Sequence, residues 1–200
     1  MRGRDVLGVT GTPGTGKKSI SPTLSSILRR DLVDLNSFAT EVVERPRARP
    51  EEEVTVDPKS LRRELLKRMP ERCVVSGHLL PDVLRRGEVG FVAVLRCEPL
   101  VLKGRLEGRG YSHTKVLENV EGELIGVVLD AALRAFGHET LHEYDTTKAT
   151  PERVAKAIAR DYKAGSRSDG PWTDWTLAYD SSSKLRLLLS DSEKNVAAST

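Results

Sequence analysis

The segment GTPGTGK at 11–17 contains residues whose types and spacing are suited to phosphate binding. Gly11, Gly16 and Lys17 satisfy the spacing G-x-x-x-x-G-K, with an apolar run at 6–9 before them and an apolar-periodic segment after them. Glycine lets backbone N–H groups turn toward phosphate oxygens, and a following helix directs the positive end of its dipole at the same anion. The pattern therefore predicts a phosphate-binding loop rather than a glycine-rich turn that only joins a strand to a helix.

The residue after the loop lysine departs from this pattern. A serine or threonine hydroxyl is expected there to hold Mg²⁺, but the position is occupied by Lys18. An ammonium group cannot ligate a cation and repels it. Ser19, one residue later, is a candidate metal ligand if the loop shifts its register, and the residues alone leave this open.

Length and composition limit the class of protein. With 200 residues, 38% hydrophobic and 30% charged, the chain is predicted to form one α/β domain with a heavily charged surface. A net charge of +3 is too small to predict nucleic-acid binding by itself. Cys73 and Cys97 match no metal or redox spacing and are interpreted as buried thiols. No signal peptide or long apolar run is recognisable, which predicts a cytoplasmic protein.

Apolar runs that alternate with amphipathic segments predict a parallel sheet with helices on both faces, within residues 1–164. The predicted strands are 6–10, 32–35, 73–75, 90–96 and 139–144. The predicted helices include 57–69, one starting at 99 that carries Arg105 and Arg109 on one face, one long helix over 113–136, and 151–164. Because ligands bind at the carboxyl ends of parallel strands, the glycine loop and the segments 76–78 and 145–148 are expected at one edge.

Two segments outside these elements each allow two interpretations. The charged, proline-broken loop 45–53 is either a solvated surface loop or a mobile segment over a second ligand. Residues 165–200 are predicted to be a C-terminal extension, a possible hairpin or partly disordered. Its aromatic residues Trp172, Trp175 and Tyr179 either pack back on the domain or form a partner-binding arm.

The order of these motifs resembles the adenylate-kinase-like P-loop NTPases of archaea and eukaryotes that act in small-ribosomal-subunit assembly. The resemblance covers residues 5 to about 163. It is carried by GTPGTGK at 11–17, SGH at 76–78, VLRCEPLVLKGRLEGRGYSHTKVLENVEGEL at 94–124 and TTK at 146–148. The RLEGRGY…K…EN part is the most specific and corresponds to the family's lid region.

The resemblance implies a P-loop NTPase fold of the nucleoside monophosphate (NMP) kinase type, with a parallel five-stranded sheet, an NMP-binding segment at about 34–56 and a lid at about 108–118. It implies transfer of the γ-phosphoryl group of ATP to AMP or another NMP with Mg²⁺, together with ATPase activity. A role in maturation of the small ribosomal subunit is also implied, with a subunit protein or rRNA as partner and no membrane. An ATP-gated assembly factor with little or no kinase activity is the alternative.

The resemblance also assigns site residues. It implies catalytic roles for Lys17, His78, Arg105 and Arg109, with the two arginines clamping the transferring phosphoryl group. The implied nucleotide-binding residues are Gly14, Thr15, Gly16, Lys17, Lys18, Ser19, Arg109, Thr147 and Lys148. Taken alone, two arginines one turn apart are also typical of a solvated helix face, and a single histidine is often structural.

Two further positions depart from the family pattern. Ser76 stands where family members usually have an acidic residue at the end of a strand, which weakens a second protein contact to the metal. Thr40 stands where the pattern often has an arginine for the NMP phosphate. Arginines in the loop at 45, 47 and 49 are candidates to replace it.

Overall fold

The computed structural model describes residues 5–42, 57–167, 170–179, 181 and 188. The described strands are β1 (Asp5–Thr10), β2 (Asp31–Asp34), β3 (Arg72–Ser76), β4 (Phe91–Arg96) and β5 (Leu141–Asp145). They form one parallel sheet in the order β2-β3-β1-β4-β5. The predicted parallel five-stranded sheet is therefore confirmed.

Helices cover both faces of this sheet. The described α-helices are α1 (Lys17–Leu28), α2 (Leu35–Val42), α3 (Pro58–Arg68), α4 (Leu80–Val83), α5 (Pro99–Glu107), α6 (His113–Leu124), α7 (Val127–Phe136) and α8 (Pro151–Ala164). Successive side chains of a strand point to opposite faces, so Val6 joins the core under α2, α3, α4 and α7, whereas Leu7 joins the core under α1 and α8. None of the described helices is long and apolar enough to cross a membrane.

A third apolar cluster lies between α5 and α6, away from the sheet. Leu102, Leu106, Val116 and Val120 are its buried helical residues. Tyr179, at the end of a 3-10 helix (Trp175–Tyr179), and Leu188 also pack into this cluster. The predicted hairpin would have placed a strand where this 3-10 helix lies. The second arm of that hairpin falls almost entirely outside the described residues.

Two sequence predictions about the helices are wrong. The single helix predicted over 113–136 is two helices, because Gly126 adopts a left-handed conformation (φ 72) between α6 and α7. Arg105 and Arg109 do not share a face of one helix, because α5 ends at Glu107. Gly110 also has a positive φ (75), so the chain turns at 108–110 and Arg109 belongs to that turn.

The order of the strands places the glycine loop at a special point of the sheet. The connection after β1 leads to β2 on one side, and the later strands β4 and β5 lie on the other side. In such sheets the ligand crevice lies outside the carboxyl ends, where the strand order reverses. The loop at 11–16 leaves β1 at that reversal. The predicted loop 45–53 and most of the segment 34–56 fall outside the described residues.

A buried ion pair joins β4 to α6 near this crevice. The Nε atom of Arg96, at the end of β4, donates to Oε1 of Glu123 at 2.7 Å, and Nη2 donates to the Glu123 backbone carbonyl at 3.0 Å. The side chains of Arg96 and Glu123 are 2% and 1% exposed. The backbone N–H of Cys97 donates to the same carboxylate oxygen at 2.9 Å. These contacts fix the end of the central sheet against the last turn of α6.

Replacing Arg96 with leucine is expected to lower the free energy of unfolding by about 3–5 kcal/mol, because the Glu123 carboxylate stays buried without its cation. The matched control is Arg134→Leu, which removes an exposed pair with Asp130 and is expected to leave the unfolding midpoint unchanged. Urea unfolding followed by circular dichroism measures both variants. Equal midpoints for the two variants would contradict a structural role for the buried pair.

Candidate active site

The glycine loop has a shape that side chains would not allow. Gly11, Gly14 and Gly16 have φ values of 145, 94 and 107, all in the region that disfavours other residues. A Cβ atom on Gly14 would also lie 2.6 Å from Cδ1 of Leu102. Gly16 begins α1 without a side-chain cap, so an anion can take the place of the cap at this helix end. The predicted glycines therefore lie where backbone groups can surround a phosphate.

Lys17 lies back across the loop that precedes it. Its Nζ atom donates to the carbonyl oxygens of Gly11 and, at 2.9 Å, of Thr12. Thr15 strengthens the same turn, because its hydroxyl and its backbone N–H both donate to the Thr12 carbonyl, at 2.9 and 3.2 Å. The ammonium group is thus held at the loop by neutral acceptors. A phosphate oxygen bound in the loop would offer this group a charged acceptor instead.

Burial lowers the pKa of the Lys17 ammonium to about 7. Two carboxylates, Glu123 first and then Asp34 at the end of β2, oppose this shift because they favour the charged form. Arg109 and Lys18 contribute to the lowering through charge repulsion. The predicted site residues Lys17, Lys18 and Arg109 are therefore close enough to interact electrostatically, around the N-terminal end of α1.

Arg105 is held by the segment that follows β5. Its guanidinium group donates to the carbonyl oxygens of Thr146 at 2.7 Å and Thr147 at 3.2 Å, and to the Thr146 hydroxyl at 3.3 Å. The Thr146 hydroxyl lies 2.9 Å from the carbonyl oxygens of both Thr15 and Arg96. Arg105 thus joins α5 to the segment at 146–147, which itself touches the glycine loop.

The other predicted residues of this edge divide into packed and exposed groups. Thr147 packs its hydroxyl against Asp145 and accepts the backbone N–H of Glu98 at 2.9 Å, whereas Lys148 is exposed. His78 is half-buried, two residues beyond the end of β3. Arg109 is exposed in the turn after α5. All of these residues follow the carboxyl ends of their strands or belong to the α5–α6 connection.

The residues present do not fit a Mg²⁺ ion held by the protein itself. The hydroxyl of Ser76, at the end of β3, is buried and accepts a hydrogen bond from Ser21 at 2.8 Å. Lys18 and Ser19 are both exposed on the first turn of α1. The ammonium group of Lys18 therefore repels a cation that approaches the hydroxyl of Ser19. In the part of the chain that the structure describes, no group of three or more His, Cys, Asp or Glu side chains could hold a metal ion.

Sequence reasoning missed two residues that support this site, Thr12 and Glu123. Val116, Val120 and Glu123 follow one another at helical spacing on the buried face of α6. A charged residue on an apolar stripe is a signal that it has a buried partner, because an unpaired charge is costly to bury. That signal points to Glu123 but does not identify Arg96 or Thr12 as the partners.

Binding of ADP at pH 8 is expected to take up close to one proton, because the free protein holds Lys17 mostly neutral when its pKa is about 7. Bound phosphates favour the ammonium form and raise this pKa, so the part of the uptake that Lys17 contributes should fall toward zero at pH 6, where Lys17 is already charged. Calorimetry in magnesium-free buffers of different ionisation enthalpy measures the uptake. Lys17→Met should abolish it, and the control Lys156→Met on the exposed side of α8 should preserve it. Equal uptake at pH 6 and pH 8 would contradict the assignment.

Comparisons with known proteins agree with this geometry. A family model described as an AAA domain matches residues 7–126. The chain is 36% identical over 179 residues to a protein of Pyrococcus abyssi named "Putative adenylate kinase", covering 88% of this chain and 93% of that protein. A protein of the same name from Methanothermobacter thermautotrophicus is 39% identical over 165 residues, with 80% and 90% coverage.

The solved structures share the fold at much lower identity. Shikimate kinase from Acinetobacter baumannii in complex with shikimate matches with a TM-score of 0.57 and 12% identity, over 80% of this chain and 93% of that one. This likeness shows the α/β P-loop kinase-like fold alone. The family model covers more than half of the sequence, and the relatives align along most of it. The chain therefore belongs to the adenylate-kinase-like P-loop family.

Proposed function

We propose that this protein is a broad-specificity NMP kinase of the cytoplasm that transfers the γ-phosphoryl group of ATP to AMP, with ATPase activity when no acceptor is bound. The observation that carries the proposal is Lys17, held across a glycine loop at the uncapped end of α1 and within electrostatic reach of Arg109. The family relatives named for adenylate kinase support the reaction class. Phosphoryl transfer depends on this kind of positioning and charge neutralisation.

In the proposal, different segments bind the phosphates, the base and the acceptor. Lys17 and the backbone N–H groups of the loop bind the β- and γ-phosphates, and Lys18 and Ser19 lie beside them. The segment at 146–148, held in place by Arg105, borders the base through Thr147 and Lys148. His78, beyond the end of β3, faces the same edge and orients the acceptor phosphate or water.

Arg109 supplies positive charge as the transition state forms. It lies in the connection between α5 and α6, where Gly110 turns the backbone with a positive φ, and in the proposal this turn is the part that moves. Closure of the lid at about 108–118 would bring this guanidinium group onto the phosphates and exclude water. The acceptor nucleotide would bind against the segment at about 34–56, of which α2 is the described part.

Mg²⁺ takes part in this proposal as a component of the MgATP substrate. A nucleotide can bring Mg²⁺ on its own phosphate oxygens, with the ion keeping several waters. The exposed hydroxyl of Ser19, on the first turn of α1, is the protein group that the proposal places beside the ion. This arrangement needs no carboxylate from β3, where Ser76 stands.

An ATP-gated factor for maturation of the small ribosomal subunit, with little kinase activity, is the second candidate. The specific observation in its favour is the pair of positions 18 and 76, where Lys18 and the buried Ser76 weaken protein contacts to the metal. Such a factor would bind a subunit protein or rRNA and release it after slow hydrolysis. The two functions are compatible if the kinase activity is residual.

Product analysis of MgATP turnover with and without AMP distinguishes the candidates. We expect two ADP molecules for each ATP consumed when AMP is present, because the phosphoryl group then passes to AMP rather than to water. Chromatography with phosphate detection measures both products, and Lys17→Ala is expected to abolish turnover. Free phosphate at a rate that AMP does not change would favour the ATP-gated factor, and normal turnover by Lys17→Ala would overturn the loop assignment.

Replacing Lys18 with threonine is expected to raise Mg²⁺-dependent turnover several-fold, because it exchanges a repelling cation for a hydroxyl ligand. The magnesium concentration at half-maximal rate should fall in the same variant. Lys156→Thr, an exposed lysine of α8, is the matched control for loss of one surface charge. An unchanged magnesium dependence in Lys18→Thr would show that Ser19 or water already serves the ion.

A further inference from the structure

Thr12 connects the glycine loop to α6 through its side chain. Its hydroxyl donates to Oε2 of Glu123 at 2.5 Å, and both residues are buried, with exposures of 3% and 1%. The other carboxylate oxygen, Oε1, accepts Arg96 Nε and Cys97 N–H. Each oxygen of this buried carboxylate therefore has its own partner, and the loop supplies one of them.

The backbone of Thr12 is the acceptor around which the loop is built. Its carbonyl oxygen accepts three hydrogen bonds, from Lys17 Nζ, the Thr15 hydroxyl and the Thr15 N–H. Because the side chain of Thr12 is held by Glu123, its backbone carbonyl can stay directed at Lys17. Movement of Thr12 would change the position of Lys17 and the curvature of the loop together.

We propose that Glu123 is a positioning residue for the phosphate-binding loop, which acts through Thr12 and couples phosphate binding in the loop to α6. The inference rests on the proposed function, because it assigns a role within the same phosphate site. Glu123 touches no substrate in this proposal. It holds the loop in the shape in which Lys17 and the backbone N–H groups meet the phosphates.

The surrounding charges make Glu123 suited to this role. Arg96, at the end of β4, neutralises the carboxylate of Glu123, and a carboxylate oxygen of Glu143 on β5 lies 3.8 Å from Arg96 Nη1. A hydrogen bond to a charged acceptor is stronger than one between neutral groups and is more directional than apolar packing. The Thr12 hydroxyl thus donates to a buried carboxylate whose position is fixed by its other partners.

The structural path from Glu123 leads to the proposed lid. Glu123 lies in the last turn of α6, and α6 packs against α5 through Leu102, Leu106, Val116 and Val120. The turn that carries Arg109 connects these two helices. Among the described hydrogen bonds, Thr12 to Glu123 is a direct side-chain link between the loop and this helix pair.

The matched pair Thr12→Ser and Thr12→Ala tests the proposal, because the two variants differ only by the hydroxyl oxygen. We expect Thr12→Ala to weaken ADP binding about tenfold and Thr12→Ser to stay within about twofold of the wild type. Thr12→Val, which keeps the size of threonine, should behave like Thr12→Ala. Thr23→Ala in α1 is the control for loss of a threonine outside the loop, and thermal unfolding checks that each variant is folded.

Hydrogen exchange at saturating ADP supplies a second readout that does not depend on affinity. ADP should slow amide exchange in α6 of the wild type and of Thr12→Ser, and this slowing should be absent from Thr12→Ala. Equal ADP affinity and equal exchange in the Ser and Ala variants would overturn the coupling while leaving the proposed function intact. Failure of the wild type to bind ADP would instead overturn the proposed function.

Discussion

The buried carboxylate of Glu123 is the group on which the arrangement of this site depends. At 1% exposure its charge cannot be left without partners, because the loss of hydration would cost several kcal/mol. Its partners come from the end of β4, through Arg96 and Cys97, and from the glycine loop, through Thr12. One charge thus brings a strand end, a loop and a helix together in a single arrangement, and that loop is the one proposed to bind phosphate.

The same charge also influences the chemistry above it. Lys17 is partly buried beside the loop, and burial favours its neutral amine, whereas the carboxylates of Glu123 and Asp34 favour the ammonium form. Burial outweighs these carboxylates and lowers the pKa of Lys17 to about 7, and a bound anion would raise it again by favouring the ammonium form. Arg105 is held differently, by backbone carbonyls that carry no net charge. It stabilises the segment at 146–147 and leaves Arg109 as the arginine of the α5–α6 connection that solvent reaches.

Features encoded by neighbouring residues could be predicted from the sequence. The glycine loop depends on spacing within 11–17, and the alternation of apolar strands with amphipathic helices predicts the parallel sheet, whose five strands the family resemblance implies. The break at Gly126 was missed because the apolar periodicity continues on both sides of a single glycine, whose left-handed conformation is one option among several. The contact of Arg105 with Thr146 and that of Glu123 with Thr12 could not be predicted, because these partners lie 41 and 111 residues apart in sequence and only packing brings them together.

The contact between Tyr179 and α5 has a consequence for the order in which the chain folds. The Tyr179 hydroxyl accepts the backbone N–H of Leu100 at 3.1 Å and donates to the side chain of Glu98, the residue that caps α5. The first turn of α5 therefore acquires its full set of partners only after the ribosome has added the residues up to 179. The sheet strands β1 to β4 are all made earlier and can pair during synthesis. The helix pair that carries Arg109 is thus expected to reach its final packing late, once translation has passed this tyrosine.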